Sequence, residues 1–434
     1  MRRIRTCLYF LLIASFLFLF TELFSAVSRK ENTSRIIALT NVRIIDAKNE
    51  RPIENGTLLI KENTIEAVGK VGKIDIPKNA EIINLKGKTV MPGLIDLHYH
   101  TTFYHLHPNW EKAADEPDAL VALRAAKNLR TTLEAGVTTV RDTGGVRDVT
   151  NSLKQALSMK LISGPRFYHS GRIITNTGGH VWKLAEQVDG KEQIIRAIRN
   201  RFSEGAHKCD FIKITWNLPQ GYNEEEIKTA IETVHRYGKK IAIHAFQPET
   251  IDACVKYGAD TIDHGWLIDA KTIPLAVKNK TIIVPTALIA AKAIVDKKFE
   301  FTGEAKLLDD ASKKRFLETR KIWWKQVLDG LRPYVAAGGL VAMGTDCGCY
   351  PMLFSDGPDE LILYKELGLT PFQIIQAGTI NGARAIGIED KTGTLEKGKW
   401  ADIIVLDGNP LEDLTALKRV IMVILEGEIV IEQR

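Results

Sequence analysis

From Arg35 to about Val90 the chain alternates apolar and polar residues in short runs. "IIALTNVRIID", "GTLLIKENTIEAVG" and "AEIINLKGKTVMPG" are separated by Gly, Asn and Pro. A period of two between such breaks predicts short, half-buried strands. "ADIIVLDGNP" and "VIMVILEGEIVIEQ", near the C-terminus, carry the same pattern. Two β-rich ends around a different middle predict a small β-sandwich domain formed from both, over residues 35–90 and 389–434.

Residues 91–388 repeat strand then helix instead. Short apolar runs predict strands at Leu94–His98, Val137–Arg141, Arg166–Ser170, Phe211–Ile214, Ile241–His244, Thr261–Asp263, Ile282–Pro285 and Leu340–Gly344. Between them, "DALVALRAAKNLRTTLEAG", "EEEIKTAIETVHRYG" and "PETIDACVKYGA" place apolar residues three and four apart and end at glycine, as amphipathic helices do. Eight such strands predict an α/β fold, a (β/α)8 TIM barrel. An open doubly wound sheet is the alternative, weakened because no Gly-rich phosphate fingerprint follows the first strand.

The C-terminal strand ends of a barrel converge on one site. "GLIDLHYH" ends the first strand with His98 and His100, which alternation puts on one face, with Tyr99 on the other. Two buried histidines on one face repel when charged and are costly when unpaired, so a cation between them accounts for both. The later ends supply Lys213 in "FIKI", His244 in "IAIHA", His264 in "TIDHG" and Asp346 in "MGTD". Each alone has a plain structural reading: a helix cap for His264, an N-cap for Asp346, an ion pair for Lys213. Their joint placement at five strand ends favours a site.

Composition narrows the class. The 434 residues exceed one small core, and 45% hydrophobic with 26% charged residues is ordinary globular composition. Arg2, Arg3 and Arg5 precede an apolar run from Cys7 to Phe20, followed by a small residue at Ala26. Residues 1–26 therefore read as a secretory signal peptide or, because Phe24 spoils the cleavage site, as an uncleaved N-terminal membrane anchor. Export to the periplasm or medium is expected either way. Losing that segment removes three arginines and one glutamate, taking the formal charge from +6 to +4. With no basic run or interleaved aromatics, nucleic acid is not an expected partner. Cys209, Cys254, Cys347 and Cys349 are too few for a disulfide framework, and the last two read as small packing residues near a strand end. A homo-oligomer stays open.

"PGLIDLHYH" resembles the strand-one metal motif of the amidohydrolase superfamily, and "KGKWADIIVLDGNPLED" resembles its C-terminal sandwich segment. "GVTTVRDTGG", "SGPR", "TGGH" and "FIKI" resemble the prolidase-like, or Xaa-amino-acid carboxypeptidase, branch within it. The resemblance spans residues 35–434. It implies metal-dependent hydrolysis of an amide or peptide bond at two divalent ions, with Zn2+ the expected metal, bridged by a carboxylated lysine. In that scheme His98, His100 and Asp346 hold one ion, His244 and His264 the other, and a CO2-derived carbamate on Lys213 bridges them. An ordinary lysine, with a pKa of about 10.4, is a cation that repels metal, whereas its carbamate is an anionic two-oxygen ligand. Asp346 then takes a proton from water and passes it to the leaving nitrogen.

His180, in "TNTGGH", reads as a substrate-contacting donor by the same resemblance. Arg141 reads as a buried ion pair with Asp142 or a neighbour rather than as a carboxylate receiver. His105, His107, His169, His207 and His235 read as surface or packing residues. After "FIKI" the branch usually carries a glycine-rich pocket segment, whereas this chain has "TWNLPQGYNEEE", with Trp216 and Tyr222. The expected substrate is a small amide, a dipeptide or N-acyl amino acid. The rivals are a cyclic-amide (imidazolone-type), lactone or phosphotriester hydrolase and, in another class, a membrane-anchored binding protein on an inactive barrel.

Overall fold

The computed structural model describes residues 35–203 and 208–433, so the N-terminal basic and apolar segment and His207 lie outside the described residues. Eight parallel strands form the barrel: Leu94–Tyr99, Val137–Asp142, Arg166–His169, Ile212–Thr215, Ile241–Ala245, Thr261–His264, Ile282–Val284 and Leu340–Val341. The first three pair in sequence, as do the last five. Two backbone contacts close the ring. Asp210 N donates to His169 O at 2.9 Å between the third and fourth strands, and Leu97 N donates to Met343 O at 2.9 Å between the first and the chain after the eighth. Strands four, five and six are buried along their whole length. Both faces of these strands are packed, so polar residues such as Lys213, Thr215, Thr261 and Asp263 are buried along with the isoleucines.

The helices begin and end where local chemistry says they should. Glu224–Arg236 opens on a capping box in which Asn223 and Glu226 satisfy each other's backbone N–H. Pro248–Tyr257 starts with proline in its first turn and stops at Gly258, whose φ of 82° is left-handed. Asp118–Glu134 turns Val121, Ala125, Leu129 and Leu133 inward at the expected spacing.

The eighth strand is shorter than its apolar run, ending at Val341 rather than Gly344. Beyond it the chain leaves its neighbour and bonds to the first strand instead: Asp346 N donates to His98 O at 2.8 Å and His100 N to Cys347 O at 2.8 Å. Gly344 permits this approach, because a Cβ there would lie 2.8 Å from His98 Cβ and 2.2 Å from Val284 Cγ1. The closure thus brings Asp346 beside the two strand-one histidines.

The remaining sheet has eight strands, five from the N-terminal segment and three from the C-terminal one. Thr89–Pro92 joins them, pairing in parallel with Ile36–Ile44 and antiparallel with Ile403–Leu406. This sandwich has its own core, including Ile37, Leu39, Leu58, Val90, Ile403 and Val405. Arg166, on the third barrel strand, ties the two layers together. Its guanidinium donates to Asp402 at 2.6 Å and lies 3.9 Å from the centre of the Trp400 ring. Among the described residues no helix is long and apolar enough to cross a membrane.

Candidate active site

His98, His100, His180, Lys213, His244, His264 and Asp346 all line one cavity of about 330 Å³ at the C-terminal ends of the barrel strands. A wider groove of about 1050 Å³ elsewhere, between Leu288, Trp324, Asp356 and Lys418, contains none of them. Asp346 is the hub. Its Oδ1 lies 3.4 Å from His100 Nε2 and 3.5 Å from His98 Nε2. Across the cavity His264 Nε2 is 2.8 Å from His244 Nδ1, while His264 Nδ1 is anchored on Thr286 Oγ1 at 2.7 Å. His100 Nδ1 is held by the Gly144 carbonyl at 2.9 Å. His264 and Asp346 have φ of 72° and 60°, positions that side chains other than glycine rarely adopt. Two left-handed residues at two strand ends aim both side chains into one space.

The electrostatics suit cation binding. Burial lowers His98 to about 4 and holds His244 and His264 well below the ordinary imidazole value, so all three are neutral with lone pairs to give. Burial alone would raise Asp346, but His98 and His100 hold its carboxyl well below the usual range, so it is ionised. His98, His264 and Asp346 offer one ligand atom each within 4.8 Å of one another, as do His100, Asp346 and Cys349. His244 Nε2 is buried with no hydrogen-bond partner. A buried, orphaned imidazole nitrogen beside other neutral imidazoles and an ionised carboxylate is a donor set for a divalent metal.

Lys213 occupies its expected strand end and is fully buried, with its ammonium on Asp263. Burial lowers its pKa, with Asp263 opposing that shift. Asp263 was not singled out in the sequence, yet it collects three partners: Lys213, His98 Nδ1 at 3.1 Å and Arg141 Nη2 at 3.1 Å. Arg141 is accordingly a buried ion pair, with Asp263 rather than Asp142, and it also donates to Thr261 Oγ1 at 2.9 Å and the Leu97 carbonyl at 2.6 Å. Asp142 instead accepts from the backbone N–H of Thr101 and Gly144. Arg141→Met, which keeps bulk but removes the charge and its hydrogen bonds, should cost about 3–5 kcal/mol of stability in urea unfolding. A loss below about 1 kcal/mol would show that the network adds little beyond packing.

His180 faces the cavity from the loop after the third strand, its ring 4.5 Å from that of His244 and nearly parallel to it. Trp216 and Tyr222 do not line the cavity. They brace their own loop, Trp216 Nε1 donating to the Tyr222 carbonyl at 2.6 Å and the Tyr222 hydroxyl to Val188 O at 3.0 Å. All four described cysteines are buried thiols outside any disulfide. Cys347 packs as expected, whereas Cys349 does more than pack, since it lines the cavity. His105, His107, His169 and His235 lie outside the cavity lining.

The amidohydrolase family model matches residues 89–430, most of the chain. The chain belongs to the amidohydrolase family. This amidohydrolase is 26% identical over 406 residues to the ochratoxinase of Aspergillus niger, covering 84% of this chain and 79% of that one. It is 26% identical over 436 residues to the imidazolonepropionase of Clostridium tetani, covering 89% and 93%. Among solved structures it superposes on a Xaa-Pro dipeptidase with bound methionine in the active site, with a TM-score of 0.77 and 27% identity over 91% of this chain and 99% of that one. The amidohydrolase is a hydrolase acting on carbon–nitrogen bonds.

Proposed function

We propose that this amidohydrolase is an exported enzyme that uses two divalent metal ions to hydrolyse the amide bond of a dipeptide or N-acyl amino acid. The observation that carries the reading is the convergence of His98, His100, His244, His264 and the ionised Asp346 on one cavity, with His244 Nε2 unpartnered. His98, His100 and Asp346 are assigned to one ion, His244 and His264 to the other, and Lys213 as a carbamate to both. Histidine and oxygen donors favour Zn2+. Divalent ions held there would supply Lewis-acid polarisation of the amide carbonyl and a lower pKa for water.

The chain's own residues do the rest. Asp346 accepts a proton from the attacking water and returns it to the leaving nitrogen as the C–N bond breaks, giving an acid and an amine. His180 contacts the substrate from the rim. Lys213 reacts as the neutral amine, adding CO2 and releasing a proton. Its burial favours that uncharged form. Asp263 keeps Arg141 when the lysine leaves it, so no buried carboxylate is stranded.

Relatives named imidazolonepropionase raise cyclic-amide opening as the rival reading. Lys213, read as a ligand shared by two ions, speaks against it here. Release of amine from a panel of dipeptides and N-acyl amino acids by Zn2+-loaded protein tests the reading. Turnover confined to cyclic amides, lactones or phosphotriesters would contradict it. Elemental analysis should find about two divalent ions per chain. A stoichiometry fixed near one, even after loading with metal and bicarbonate, refutes the two-ion assignment. For export, N-terminal sequencing of secreted material should begin near Val27, or an intact Met1 should appear in membranes. Full-length protein confined to the cytoplasm would overturn both forms.

A further inference from the structure

Above the strand ends the cavity wall is apolar and aromatic, formed by Phe103, Ile173, Phe246, Trp266, Phe316 and Trp323. A single guanidinium interrupts it. Arg320 lies on the long helix Asp310–Ala336, which follows the seventh strand and lines the cavity with Phe316, Arg320 and Trp323, and it is only 6% exposed. Its Nη2 donates to the Tyr350 carbonyl at 3.2 Å, while Nε and Nη1 are buried with no hydrogen-bond partner. Its charge centre lies 4.6 Å from the Phe316 ring centre and 4.4 Å from that of Trp323.

A buried guanidinium with most of its donors unspent is costly, and two aromatic faces recover only part of that cost. Asp346, the carboxylate in the cavity lining, is already engaged by His98 and His100. Burial lowers Arg320 only to about 10, so it remains a cation at neutral pH. Nη2 carries two hydrogens and gives one to Tyr350. Whichever hydrogen that is, one forked edge stays open, either Nε with Nη2 or Nη1 with Nη2. A planar fork with a free edge matches the two oxygens of a carboxylate.

We propose that Arg320 receives a substrate carboxylate, which makes the preferred substrate an N-acyl or dipeptidyl amino acid with a free C-terminus and an apolar or aromatic side chain. The choice of amide substrates rests on the function proposed above, whereas capture of the carboxylate rests on Arg320 alone. Arg141, the other buried arginine of the barrel ends, is excluded because Asp263, Thr261 and Leu97 occupy its donors.

Calorimetric titration of the metal-loaded full chain with 3-phenylpropanoate and its neutral isostere 3-phenylpropanamide tests the proposal without requiring turnover. Wild type should bind the acid roughly 10- to 100-fold more tightly than the amide. Arg320→Gln should bring that ratio towards one, and Arg320→Lys should keep part of it. With hydrolysed substrates, the same Arg320→Gln change should raise KM for the free acid far more than for its C-terminal amide. An acid preference equal in wild type and Arg320→Gln would place the carboxylate on the metal ions and overturn the proposal, as would no preference in wild type. Melting temperatures of the variants guard against misfolding, and a graded Arg, Lys, Gln series is not expected from a fold defect. If the acid preference vanishes in Arg320→Gln while no amide of the panel is cleaved, Arg320 keeps its role and the amide-hydrolase reading fails. The converse result rejects Arg320 alone.

Discussion

Lys213→Ala should lose most activity and at least one bound metal ion, and added formate, acetate or propionate should restore part of the rate. The effect follows from chemistry rather than charge. A carbamate supplies two oxygens to the centre, and a small carboxylic acid entering the vacated space can supply the same two. The structure makes the test sharp because unmodified Lys213 sits on Asp263, which is the competing role. If that ion pair is all the lysine provides, its removal lowers stability, leaves both ions bound and gives small acids nothing to rescue. Metal content and turnover, measured with and without acid, separate the two. Full metal occupancy in Lys213→Ala would end the bridge hypothesis.

Asp346→Asn should lower kcat by about 10³-fold, within the range for removing a proton-transfer group, with no rescue by small acids. The amide is nearly isosteric but cannot take water's proton. His98 and His100 hold the native carboxyl ionised, so the base is ready at neutral pH. A KM rise with unchanged kcat would mean that Asp346 only binds. A fall of less than about tenfold would place the proton transfer on another group, and His180 would be the first to examine.

The barrel was legible because its strands are buried on both faces and its helices are stopped by glycine or capped by Asn223 and Glu226. The seven candidate residues are all found at the cavity, six because their positions at strand ends are a local feature of the sequence and His180, on a loop, because its "TGGH" segment resembles the family's. What escaped the sequence is what depends on distant partners. Asp263 is one residue before His264 in the short strand Thr261–His264, and nothing local says that it gathers Lys213, His98 and Arg141. Arg320 is one of many basic residues in "KKRFLETRKIWWKQ", and only the fold shows that it is buried against Phe316 and Trp323. The eighth strand reads as longer than it is because its apolar run continues after hydrogen bonding has passed to the first strand. Trp216 and Tyr222 are large and follow a site residue, but their polar atoms are spent within their own loop.

Metal-dependent amide hydrolysis at the strand ends is the central claim, and titrating metal back into chelator-stripped protein tests it most directly. Activity towards an N-acyl amino acid should be absent after stripping, then rise with Zn2+ in the presence of bicarbonate and level off at about two ions per chain. Full activity in protein that retains no bound metal would contradict the account.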